Sequence, residues 1–163
     1  MDFSLRRVVR LLSFALVLPA AFAPAATKTA KFNVTATVQN DCTVAATDLA
    51  FGTIGLVSSN VDSTSTLTIT CTPTTAYTVG LDAGNVSGST VDNRLMGSGS
   101  STLRYQLYSD TARTQIWRDA VDSTVGGTGS GVAQTLTVYG RIPTQTTPAV
   151  GSYLAQVTAT ITY

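Results

Sequence analysis

Lys31-Phe32-Asn33-Val34-Thr35-Ala36-Thr37-Val38 alternates apolar and polar residues without a break. Successive side chains of an extended chain point to opposite faces, so Phe32, Val34, Ala36 and Val38 share one face and Lys31, Asn33, Thr35 and Thr37 the other. That is the pattern of a half-buried strand. It points to a β domain, and it raises the question of whose sheet the strand completes.

Composition agrees. Of the 163 residues roughly a quarter are serine or threonine, glutamate and histidine are absent, and every acid is an aspartate. Threonine and valine suit a pleated, half-buried surface, while strong helix formers are scarce. The length suits one domain with a real core. With no basic cluster, no electrostatic footprint for nucleic acid exists.

Before the alternating stretch lies a leader of bacterial form. Arg6, Arg7 and Arg10 make a positive n-region and Leu11–Leu18 opens a short apolar run. The run is shorter than the roughly 20 residues a spanning helix needs, so a secretory signal peptide is read in preference to a membrane anchor. Cleavage is expected after Ala25, at Ala23-Pro24-Ala25. The remaining chain carries seven basic and eight acidic residues, a net charge of −1. Export to an oxidising compartment makes a disulfide between the two cysteines, Cys42 and Cys71, the default. With no histidine and no C-x-x-C spacing, a metal site or redox pair has little support.

Downstream, short strands are expected at Leu49–Ile54, Leu67–Cys71, Ala76–Leu81, Arg94–Met96 (an edge strand), Thr102–Tyr108, Gln115–Trp117, Ala133–Ile142 with a bend at Tyr139-Gly140, and Gly151–Tyr163. Asn60–Ser65 reads as a polar turn region, Asp82–Asn85 as a turn and Gly126–Gly131 (GGTGSG) as a flexible hairpin loop. In the last strand Tyr153, Ala155, Val157, Ala159, Ile161 and Tyr163 share one face. Strands so spaced indicate an all-β sandwich.

Few residues suggest chemistry. The glycine run is followed by a strand and no lysine, unlike a phosphate-cradling loop. Asp110, Asp119 and Asp122 lack any calcium-loop spacing and read as solvated loop. Without histidine, the familiar Ser-His-Asp and Cys-His sets are excluded. Trp117 is expected to pack rather than to stack on a sugar. Asn33-Val34-Thr35 and Asn85-Val86-Ser87 match a glycosylation pattern that carries no information in a bacterial chain. The chain reads as a non-enzyme with no cofactor, metal or small-molecule substrate. A sandwich with an unfilled edge offers free backbone groups and an apolar slot to a strand from another chain.

Cys42-Thr43-Val44, Leu49–Thr53, Thr70-Cys71-Thr72, Ala76–Gly84, Arg94-Leu95-Met96, Leu103–Arg113, Gly129–Pro143 and Gly151–Tyr163, in that order, resemble the spore coat protein U domain family, which includes major subunits of archaic, Csu-type chaperone–usher pili. The resemblance spans about Phe32–Tyr163 and is weakest over Arg118–Gly127. It implies an incomplete immunoglobulin-like β-sandwich completed by donor-strand complementation, with partners of three kinds: identical or related pilin subunits, a periplasmic chaperone and an outer-membrane usher. It divides the chain into a signal peptide (1–25), a donor-strand extension (26–38) and a sandwich domain (39–163). Phe32, Val34, Ala36 and Val38 become the inserted side chains, Cys42 and Cys71 the family disulfide, and Thr160, Ile161, Thr162 and Tyr163 the chaperone contact. The function implied is a structural subunit of a surface pilus, exported through the periplasm and supporting adhesion and biofilm formation. The alternative is a monomeric secreted binding module, for instance for carbohydrate, in which Phe32–Val38 fills its own sheet. A spore-coat or surface-layer role is a variant of the structural reading.

Overall fold

A computed structural model describes residues 24–119 and 124–163 of the chain. The signal-peptide segment up to residue 23 and Asp122 lie outside the described residues. The chain divides into two units, Met1–Ala36 and Thr37–Tyr163. In the first, residues 24–36 form no helix or strand and are exposed throughout.

The described residues of the second unit are all β, in eight strands: β1 Cys42–Ala46, β2 Val61–Cys71, β3 Ala76–Leu81, β4 Arg94–Ser98, β5 Ser101–Tyr108, β6 Val125–Thr128, β7 Gln134–Ile142 and β8 Ala159–Thr162. They form two antiparallel sheets, one of five strands ordered β1-β2-β7-β5-β4 and one of three ordered β6-β3-β8. The alternation read from the sequence sets their faces. Leu67, Ile69 and Cys71 of β2, Tyr77, Val79 and Leu81 of β3, and Leu103, Tyr105 and Leu107 of β5 are all buried in one core with Val138, Ile142 and Trp117. Each such side chain stabilises the fold by about 1.5–3 kcal/mol. Trp117 packs as expected, with its Nε1–H donating to the Val79 carbonyl at 2.8 Å. β4 forms the expected edge, and Gln115–Trp117 contributes a single bridge, Ile116 to Tyr108.

Several expectations are corrected. The polar stretch Val61–Ser65 is strand, because β7 supplies a long antiparallel partner from Val61↔Ile142 onward, and distant pairing outweighs local composition. Gly140 lies inside that ladder opposite Ser63 rather than at a bend. The glycine run is not all loop: Val125–Thr128 is β6, paired with β3. Conversely, Leu49–Ile54 forms no strand, and of the long strand expected over Gly151–Tyr163 only Ala159–Thr162 has a ladder. Among the described residues no strand precedes Cys42 either. These segments keep strand-like sequences outside any ladder among the described residues.

Candidate functional site

Two segments of the sandwich that form no ladder among the described residues face each other across a groove. One wall is 48–57, the other 147–157, and between them lie two cavities of about 820 and 530 Å³ that share Asp48, Leu49, Phe51, Met96, Leu154 and Ala155. The larger reaches down to Leu103 and Ile142, and the smaller to Leu67, Leu81, Tyr105, Leu107 and Val138. The floor is therefore the sandwich core itself.

Side chains, not a ladder, hold the first wall. Leu49 and Phe51 lie over Gly140 of β7, where an added Cβ would stand 2.8 Å from Leu49 Cδ1 and 3.0 Å from Phe51 Cζ. Phe51 also meets Tyr105 edge to face, with ring centroids 6.5 Å apart. The main chain is tethered at its ends and at Ala50, whose carbonyl accepts the Ser63 hydroxyl at 2.6 Å. Thr47 N–H donates to Thr66 O at 3.0 Å, and Val57 N–H donates to Thr147 Oγ1 at 2.9 Å. Between Asp48 and Leu56 it makes no backbone–backbone hydrogen bond among the described residues.

The second wall keeps the alternation read from the sequence. Tyr153, Ala155, Val157, Ala159 and Ile161 pack against the core, whereas Leu154 is 75% exposed. Its even-numbered residues are bonded outward: Leu154 exchanges both main-chain hydrogen bonds with Gly97, and Gln156 and Thr158 are held by Asn85 and Asp82. Ala155 and Val157 make no backbone–backbone hydrogen bond among the described residues. A main-chain edge flanked by an apolar floor is what an added β-strand requires: hydrogen-bonding groups for its backbone and pockets for its alternate side chains.

Cys42 and Cys71 are bonded, directly opposite one another in the β1–β2 ladder. Phe32 is 86%, Val34 85% and Val38 85% exposed, and Ala36 is exposed as well. Four apolar side chains in one alternating row are thus exposed. Thr160, Ile161 and Thr162 pair with Gly80, Val79 and Thr78 in β8, and the Tyr163 hydroxyl donates to Asp41 Oδ1 at 3.3 Å. Asp119 is exposed, and Asp110 is engaged locally, accepting the amides of Thr114 and Gln115. Among the described residues no group of three or more metal-ligating side chains occurs.

Sequence reading missed a buried arginine. Arg94, at the start of edge strand β4, is 0% exposed. Its Nη2 donates to Leu81 O and Trp117 O at 2.7 Å each, its Nε to Asp82 O at 2.8 Å, and its Nη1 to Gln106 Oε1 and Val91 O. Desolvation lowers its pKa from the ordinary guanidinium range, against the nearby Tyr105 and Asp82. Burial pushes the Tyr105 phenol up to about 12. An arginine beginning a short Leu-Met run was the only signal available.

A model of the Spore Coat Protein U domain matches residues 28–160. "Protein U" of Myxococcus xanthus is 35% identical over 161 aligned positions, covering 88% of this chain and 90% of that protein. Among solved structures, the fold matches the crystal structure of the CsuC–CsuE chaperone–tip adhesion subunit pre-assembly complex, from archaic chaperone–usher Csu pili of Acinetobacter baumannii. The TM-score is 0.57 at 26% identity over 78% of this chain. The chain spans 40% of that solved chain.

Proposed function

The chain belongs to the Spore Coat Protein U domain family, and on that premise we propose that it is a structural subunit of a chaperone–usher surface pilus that polymerises by donor-strand exchange. The observation that carries this reading is the groove, an apolar slot between two walls without a ladder partner, in a chain that also exposes an alternating apolar row. Residues 1–25 are the export signal, cut after Ala25. Residues 26–38 are the donor strand, and 39–163 the acceptor domain. Phe32, Val34, Ala36 and Val38 of one subunit enter the groove of the next. Each of the three larger side chains then contributes about 1.5–3 kcal/mol on burial. A periplasmic chaperone occupies the groove beforehand and contacts Thr160–Tyr163. An outer-membrane usher replaces it with the next subunit. The assembled fibre serves adhesion and biofilm formation, and we assign the chain no catalytic role.

The test is deletion of Ala26–Val38. The shortened chain is expected to bind the chaperone and to accept a donor strand from an intact subunit, but not to extend a fibre by itself. Fibres of normal length from the deleted chain alone overturn the proposal.

A second reading, a coat protein of the same sandwich fold, is favoured by the match of the Spore Coat Protein U domain model to residues 28–160. The location of the protein separates the two, as thin surface fibres or as a continuous coat by immunogold electron microscopy.

A further inference from the structure

Resting on the donor-strand reading, we propose that Asp82 and Asn85 are positioning residues for strand capture, holding the groove wall at 155–158 ready to pair before any strand arrives. The β3–β8 ladder ends at Leu81↔Ala159. Beyond it the chain of β3 turns away at Asp82–Asn85, and the wall would lose its outer partner there. The turn replaces that partner. Asp82 N–H donates to Thr158 O at 3.1 Å, and Thr158 N–H donates back to the Asp82 carboxylate at 2.9 Å. One step along, Asn85 N–H donates to Gln156 O at 3.1 Å, and Gln156 N–H donates back to Asn85 Oδ1 at 2.9 Å. Two side chains thus stand in for the amide-accepting carbonyls of a missing strand, and the outward groups of Gln156 and Thr158 are filled. By strand alternation the groups of Ala155 and Val157 are left for the groove.

The turn is itself held by two further hydrogen bonds. Gly84 N–H donates to Asp82 Oδ1 at 2.9 Å, and the buried Arg94 takes Asp82 O from behind. Gly84 has φ +84°, and a Cβ there would lie 3.4 Å from Gln156 O and 3.5 Å from the Tyr105 hydroxyl. The contacts would be ordinary ones, but the left-handed backbone favours glycine, so it is the turn's conformation that asks for Gly84. A wall already ordered loses little conformational freedom when a strand docks, and that favours capture.

The experiment uses the full chain and, as probe, a synthetic peptide of residues 26–38. Amide exchange without peptide should show Gln156 and Thr158 protected. In Asn85→Ala the Gln156 amide should exchange faster and peptide association should slow by about tenfold, with the thermal midpoint little changed because Asn85 is exposed. Asn85→Asp, which keeps the accepting oxygen, should restore both. An unprotected Gln156 amide in the wild type overturns the proposal without any variant. Unchanged association in Asn85→Ala, with the wild type binding peptide, overturns it and leaves the donor-strand reading standing. A wild type with protected amides that takes no peptide at all removes the donor-strand reading, and the proposal with it.

Discussion

Gly127 lies directly across the β3–β6 ladder from Tyr77, and a Cβ on Gly127 would stand 2.5 Å from the Tyr77 ring. Tyr77 is buried, so its ring has little room to retreat. The start of the glycine run, in β6, is shaped to admit an aromatic side chain from its neighbour. Gly127→Ala is expected to cost about 1–3 kcal/mol by overpacking. The same substitution in a Tyr77→Leu background should cost clearly less. Urea unfolding of the four proteins measures the coupling, and equal costs in both backgrounds would refute the clash.

The bond between Cys42 and Cys71 ties the first strand to the end of the second, 29 residues apart. In the chain-entropy model a loop of that length is worth about 3–4 kcal/mol. Reducing the protein should lower its unfolding free energy by that order, read from denaturant curves with and without reductant. A reduced protein of unchanged midpoint would show that the strand pairing alone suffices.

Val34 is exposed in this chain, so its replacement should leave the subunit's own stability alone. Val34→Asp would place a charge in an apolar slot, which costs several kcal/mol when unpaired. The expected result is a normal thermal midpoint with fibre assembly lost, scored by electron microscopy. Phe32→Ala should weaken assembly in the same direction. Loss of the midpoint in Val34→Asp would place this residue in its own domain's core instead.

Asp62 accepts both Arg141 nitrogens, Nε at 2.7 Å and Nη2 at 2.8 Å, and Arg113 Nε lies 3.4 Å away. The Arg141 hydrogen bonds hold its carboxyl below the usual carboxylate range despite partial desolvation, and the charge of Arg113 adds to the effect. A depressed folded-state pKa stabilises the protein above the unfolded value near 3.9 and loses that contribution as pH falls through the folded value. The pair is partly solvated, so the contribution is under about 1 kcal/mol. Between pH 5 and 2, stability of the wild type should fall more steeply than that of Asp62→Asn. Parallel curves would show that the pair does not contribute.

The buried faces of the strands were legible because a half-buried strand repeats every two residues. Leu67, Ile69 and Cys71, Leu103, Tyr105 and Leu107, and Tyr153 through Ile161 all turn the way the alternation requires. The polar start of β2 and the glycine-rich β6 were not legible. Their strand character comes from partners far along the chain, β7 and the Tyr77 face of β3. Arg94 was hidden for a related reason: the carbonyls of Leu81, Asp82 and Trp117 that satisfy it converge only after folding. The Asp82–Asn85 turn was visible as a turn, but not as a clasp on Gln156 and Thr158.

Alone, then, the sequence determined the all-β class, the two faces of each alternating strand and the apolar row at Phe32, Val34, Ala36 and Val38, because these follow from local periodicity. Only the tertiary structure decided which strand-like segments have partners. Pairing is a contact between distant parts of the chain, and Leu49–Ile54 and Gly151–Thr158 read as strands whether or not a neighbour exists to receive their hydrogen bonds. The groove lies between these two segments, over the core.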